Sequence, residues 1–282
     1  MPKVFNFIFL SVFFSFSPCE EDGYRFVNTV YEKFQMDLET ISEISFGRYA
    51  YISTFSGRLT QELQDVDHET NKLKSFHSWS NIIASNRRND EVKPNYEAQK
   101  LNGATYVVII DSTGMVESVV GNNDVAKESL EQQNSMGAMF SNQNYYYPFG
   151  SDSLRRVGDV WIIKKEEKAE ESFFGLDKFE GTIEEEVTYT FKKVNEKRGD
   201  LIAYIKVTQI NIQQGVGTNW DDTIEFTQTG ELKGEMRFNI TKGYIIRGKM
   251  SGKFYGKGKS LEDDSSKSFS MNMDIKFKTK IK

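Results

Sequence analysis

The chain has 282 residues, 38% hydrophobic and 27% charged, with a formal net charge of −5. That composition builds a core and excludes a disordered acidic chain. One cysteine and two histidines leave no basis for a disulfide framework, a haem-attachment motif or a structural zinc site.

Residues 4–16 read VFNFIFLSVFFSF behind Lys3. A positive start and an apolar run too short to span a bilayer make an export signal. Cys19 closes the run in Phe16-Ser17-Pro18-Cys19. Two outcomes stand at that point. One is lipid attachment at Cys19, as in a bacterial lipobox, with Pro18 departing from the small residue normally there. The other is ordinary cleavage after Ser17 or Cys19. Residues 1–19 are assigned as the signal and 20–282 as one β-rich domain, with halves 20–150 and 151–282 of similar plan. The expected location is periplasmic, tethered to the outer membrane, or on the cell surface.

Phe34, Met36 and Leu38 alternate, and Tyr49 to Phe55 are rich in aromatic and β-branched residues, so both read as strands. Residues 58–90 are polar and read as an irregular strand pair or helical pieces. Thr105–Ile110 and Met115–Val120 flank the hairpin turn Asp111-Ser112-Thr113-Gly114. Asp124 is the expected N-cap of a helix over 125–140, with Ala126, Leu130, Met136 and Phe140 on its apolar face. The tyrosines of 142–148 read as a loop. Trp161–Ile163, then Val187, Tyr189 and Phe191, then Leu201–Ile210 follow as strands, the last two around Glu196-Lys197-Arg198-Gly199.

The C-terminal third carries the clearest pattern. Met236, Phe238 and Ile240 precede Thr241-Lys242-Gly243, and Ile246, Met250 and Phe254 follow on one parity. A three-residue loop with Gly243 left-handed sets 240 opposite 244. Phe269, Met271, Met273, Ile275, Phe277 and Ile281 alternate with polar residues, a half-buried strand. The fold class is mainly β: a large curved antiparallel sheet, with an internal duplication as an option and one or two helices.

Motifs for chemistry are absent at sequence level. His68 and His77 lie in a polar stretch and read as a solvated loop rather than metal ligands. Gly256-Lys257-Gly258-Lys259-Ser260 lacks the first glycine of a phosphate loop, since position 253 is lysine. No catalytic residue, metal ligand or cofactor is assigned. Charge is more informative. Residues 241–282 hold 11 basic and 4 acidic side chains, against 24 and 37 in 20–240. Arg247, Lys249, Lys253 and Lys257 share one face, and Lys276, Lys278 and Lys280 share another. Adjoining, they form a cationic stripe for anionic lipid or an envelope polymer; otherwise they are a solvated face balanced by the acidic 166–186 stretch. The overall acidic charge and export argue against nucleic acid.

Gly248, Gly252 and Gly256 share parity with Ile246, Met250 and Phe254. Glycines on an apolar face permit strong curvature. Ile246, Met250 and Phe254 are therefore candidate lining of an apolar groove, with packing against the 125–140 helix as the plain alternative.

Several short motifs occur in order: Tyr24-Arg25-Phe26, Gly103-x-x-Tyr106-x-Val108 with the Gly114 turn, Val157-Gly158-Asp159-x-Trp161, Tyr189-x-Phe191, Ala203-x-Ile205, and Gly230 with Gly234. Together they resemble a domain-of-unknown-function family of bacterial envelope proteins, often lipoproteins. The resemblance implies an envelope protein and carries no catalytic residue, because that family has no assigned activity. Three functions are expected in order: a non-enzymatic envelope protein binding a lipid or other hydrophobic ligand, a structural or interaction protein at the cell surface, and a carboxylate-dependent hydrolase. Sequence leaves the oligomeric state open.

Overall fold

The computed structural model describes residues 23–24, 33–46, 49–67, 72–88, 91–110, 116–131, 154–170, 178–219, 222–263 and 265–281. Twelve strands form one antiparallel sheet. They are β1 (Lys33–Phe46), β2 (Tyr49–Asp67), β3 (Lys72–Arg88), β4 (Glu91–Pro94), β5 (Thr105–Ile110), β6 (Val116–Gly121), β7 (Val160–Glu170), β8 (Lys178–Lys197), β9 (Asp200–Asn219), β10 (Asp222–Asn239), β11 (Tyr244–Ser260) and β12 (Ser266–Ile281). Two short helices, α1 (Tyr96–Lys100) and α2 (Asp124–Glu131), complete the described elements.

The order across the sheet is β6-β5-β3-β2-β1-β12-β11-β10-β9-β8-β7, with β4 paired to β3. β1 to β3 and β7 to β12 each run as a meander. The first and last strands meet in the middle, Leu38 opposite Phe277, and the sheet stays open between β6 and β7. β8 and β9 have 20 residues each, about 65 Å of strand at ~3.3 Å per residue. A twisted sheet this wide curls. Its inner face is buried in every strand of the central path from β3 to β8, from Trp79 through Leu38, Phe277, Met250, Met236 and Ile205 to Tyr189. Those side chains belong to one apolar cluster.

The turns follow local chemistry. Arg198 and Gly199 have φ of 55° and 80°, the two left-handed residues of a type I′ hairpin. Between β10 and β11, Gly243 is left-handed as expected, at φ 66°. The register differs from the expectation, however: Asn239 faces Tyr244, and four residues make the loop. Asn239 holds it, its Oδ1 accepting from Lys242 N at 2.9 Å and its Nδ2 donating to Asp200 at 3.0 Å.

Of the two readings for residues 58–90, the irregular strand pair holds in their described part. Residues 58–67 and 72–88 belong to the long, paired strands β2 and β3, where Leu59, Trp79 and Ala84 supply the buried face while bulges near Gly57 and Leu63 interrupt the alternation. The N-cap of α2 is Asn123 rather than Asp124, its Oδ1 accepting from Ala126 N at 3.0 Å. Residues 132–153, including Met136, Phe140 and the tyrosine loop, lie outside the described residues. α1 was not legible; Asn95 caps it through Ala98 N at 3.1 Å.

Candidate binding face

The inner face of β10, β11 and β12 is a checkerboard of glycine and large apolar side chains. Gly248 stands between Phe277 and Met236, and Gly252 between Met273 and Leu232. Met250 stands beside Gly234, and Phe254 beside Gly230. A methyl at 230 would overlap the Phe254 ring, one at 248 the Phe277 ring, and one at 256 the Phe269 ring. Each ring thus lies flat on the bare backbone of the next strand, a close approach that glycine alone allows. Met36, Met236, Met250, Met271 and Met273 are buried in the same cluster. Unbranched thioethers adapt to irregular shapes more readily than branched side chains.

Met250 and Phe254 occupy the inner face, 4% and 5% exposed. Ile246 does not continue their row. The ladder shifts register between Arg237 and Phe238, so that Arg237 faces Arg247 while Phe238 faces Ile245. The inserted residue puts Ile245 in the core and leaves Ile246 half-buried. The described part of the 125–140 helix, α2, packs on β5 and β6 and not on the glycine rows of β11.

The inner face also carries polar groups, and β9 shows why. Its inward positions run Ile205, Val207, Gln209, Asn211, Gln213, while Ile210 and Val216 point outward and are exposed. The apolar side of the strand reverses with no bulge in its pairing with β10. Gln209 Nε2 donates to Glu185 Oε1 on β8 at 2.6 Å and to Asn211 Oδ1 at 3.5 Å. Gln213 faces Gln228 on β10. The Oε1 atoms of both are buried without a hydrogen-bond partner, as are the hydroxyls of Thr40 and Thr279 nearer the sheet centre. Phe226 and Phe269 stack beside Gln228 at 5.9 Å, reaching across β11.

A second polar group lies in β2 and β3. His77 is 7% exposed, within a strand and not in a solvated loop. Its Nε2 meets Ser75 Oγ at 2.9 Å, and Gln61 Nε2 donates to the same Oγ at 3.3 Å. Burial pushes the imidazole down to about 3, so it is neutral at ordinary pH. Nothing near His77 in the sequence signals this burial except its alternation with Ser75 and Trp79.

The cations do adjoin, on the outer face. Arg247 is opposite Lys278 and Lys249 opposite Lys276, while Lys253 and Lys257 face Asn272 and Ser268. All six are exposed. Lys280 pairs with Gln35 at the end of β1. Their acidic neighbours across the ladders come from β1 and β10, not from the acidic residues of β7 and β8, which lie beyond β9. Asp37 is engaged by Arg58 at 2.6 Å and Glu231 by Lys233 at 2.6 Å. Cys19 lies outside the described residues. Among the described residues no three His, Cys, Asp or Glu gather as a metal site would need, and no helix is long and apolar enough to cross a membrane. No family model matches the chain, and no curated protein matches it.

Proposed function

We propose that the protein is a non-enzymatic, exported component of the cell envelope that binds an amphiphile, a lipid or similar hydrophobic ligand, on the inner face of its sheet. One observation carries this reading: the glycine and methionine checkerboard of β10–β12 joined to buried side-chain oxygens that find no partner among the described residues. A core selected only for stability avoids both features. Glycine in a strand weakens it, and an unpaired buried acceptor costs about 1–3 kcal/mol. A ligand with a hydrocarbon part and a polar end accounts for both at once.

Native mass spectrometry of the protein purified without detergent tests this. The expected result is a co-purifying amphiphile at one per chain. After its removal, the protein should bind a dansyl-labelled fatty acid with a rise in probe fluorescence. Delipidated, folded protein that ignores the probe would sink the proposal.

A second reading, contact with an anionic surface, has its own support. Like charges directly opposite on neighbouring strands are destabilising, yet Arg247/Lys278 and Lys249/Lys276 are such pairs. Attraction to anionic lipid is worth about 1 kcal/mol per lysine at the surface. Co-sedimentation with phosphatidylglycerol vesicles, absent with phosphatidylcholine and lost in a Lys249→Glu/Lys276→Glu variant, is the expected outcome. Equal binding to both vesicle types would remove this reading.

A further inference from the structure

The polar end of the inner face is specific in its chemistry. Gln228 is 3% exposed and its Oε1 has no partner. Directly opposite, Gln213 presents a second buried Oε1 without a partner. Farther along β9, Gln209 Nε2 is engaged, donating to Glu185 Oε1 at 2.6 Å and to Asn211 Oδ1 at 3.5 Å. The open atoms of the two glutamines are thus both acceptors, their amide oxygens. Lys165, the cation in register with this cluster, stands on β7 opposite Glu185, two and three strands from Gln213 and Gln228.

Hydrocarbon begins immediately beside these acceptors. Gln228 is flanked along β10 by Phe226 and across to β11 by Gly256. The Phe269 ring covers Gly256 and stacks on Phe226 at 5.9 Å with 14° between planes. Ile183, opposite Gln213, and Ile224 join that aromatic pair in a small cluster separate from the main core. Beyond Gly256 the checkerboard continues through Phe254, Gly252 and Met250.

We propose that Gln213 and Gln228, backed by Glu185, Gln209 and Asn211, hold the headgroup of the amphiphile and select one that donates hydrogen bonds, an amine or a hydroxyl-bearing polyol, over a carboxylate or phosphate. The inference rests on the amphiphile-carrier reading above. A donor placed between the two amide oxygens satisfies both. An anionic headgroup offers those two oxygens no donor, shares the face with the Glu185 carboxylate, and loses its hydration on burial. The chain then leaves the headgroup across Phe226 and Phe269 onto the glycine rows of β11.

Competition for the dansyl probe among dodecylamine, monolaurin and dodecanoate tests this, because the three share one hydrocarbon length and differ in headgroup. The expected result is that the amine and the glyceride displace the probe about tenfold more effectively than the carboxylate, one hydrogen bond's worth of discrimination. In a Gln213→Met/Gln228→Met variant, near in shape and without the acceptors, all three should compete equally. Thermal unfolding serves as the folding control. Dodecanoate competing as well as the others in the native protein overturns the headgroup assignment and leaves the carrier reading intact. So does a preference that survives the double substitution. A protein that binds neither the probe nor any competitor overturns the carrier reading itself.

Discussion

On the inner face, the polar residues of β2 and β3 satisfy one another, whereas those of β9 and β10 leave acceptors open. Gln61, Ser75 and His77 form a chain of hydrogen bonds at 3.3 and 2.9 Å. Gln213 and Gln228 face each other with both amide oxygens unpaired. Both groups are inward-facing and lie on long strands. The difference is whether the fold supplies the partner. A closed network rigidifies the sheet around it. An open one costs stability unless something else completes it. The first group therefore reads as structural and the second as a site, and four measurements bear on that division.

Acid should act through the closed group and with the largest effect. His77 stays neutral in the fold because burial lowers it to about 3 from the ordinary 6.5. Below pH 6.5 the unfolded chain takes up a proton that the folded protein refuses. Its contribution is therefore fully present above pH 6.5 and is lost as pH falls toward 3. The loss is on the order of 1 kcal/mol per pH unit, several kcal/mol in all. Urea unfolding from pH 7 to pH 4 should show a falling stability that is flatter in His77→Gln. An identical slope in the variant would assign the acid sensitivity to other groups.

Next in size is a change at the floor of the open group. Gly256→Ala places a methyl where the Phe269 ring lies. The ring must move and its stack on Phe226 is lost. A cost of about 2 kcal/mol in denaturant unfolding is expected, with weaker binding of the dansyl probe. Unchanged stability would mean that the ring has room elsewhere and that the glycine is not required by packing.

How far the sequence foretells this division depends on where polarity follows burial. β12 was legible because Met271, Met273, Ile275 and Phe277 are buried and the residues between them are exposed. The Arg198-Gly199 turn was legible because its backbone demands a glycine. β2 was legible over Tyr49–Phe55, but its continuation and β3 were only one of two readings, because Gln61, Ser75 and His77 sit on the buried side and break the apolar period. Ile246 was placed wrongly because a single inserted residue reverses parity and leaves no mark in composition. The cationic stripe was legible as strand parity; its acidic neighbours were not, since register with β1 is a long-range choice. The Gln213/Gln228 pair was hidden altogether. The signal that would have found it is the reversal in β9, where apolar residues move from 205 and 207 to 210, 212 and 216 with no turn residue between.

Breaking the closed group at its centre should have a moderate effect. Ser75 Oγ is the shared partner of Gln61 and His77. Ser75→Ala leaves both with an unmet bond in a buried site and should cost about 1–2 kcal/mol in thermal or chemical unfolding. Probe binding should not change, because the cluster lies across the sheet from Gln228. Loss of binding at unchanged stability would contradict the structural role given to these residues.

The smallest effect is the most discriminating, because its sign is unusual for a core position. Gln228 is 3% exposed, and a buried residue replaced by another usually lowers stability. Here the amide oxygen removed by Gln228→Met has no partner to lose, and methionine fills nearly the same volume. The variant should unfold at the same denaturant concentration as the native protein or slightly higher, by up to about 1 kcal/mol. Its preference for donor headgroups should weaken at the same time. Stability rising as selectivity falls is the signature of a residue kept for a ligand. A clear loss of stability would instead place Gln228 with Ser75, as a group the fold itself depends on, and would erase the contrast between the two halves of the inner face.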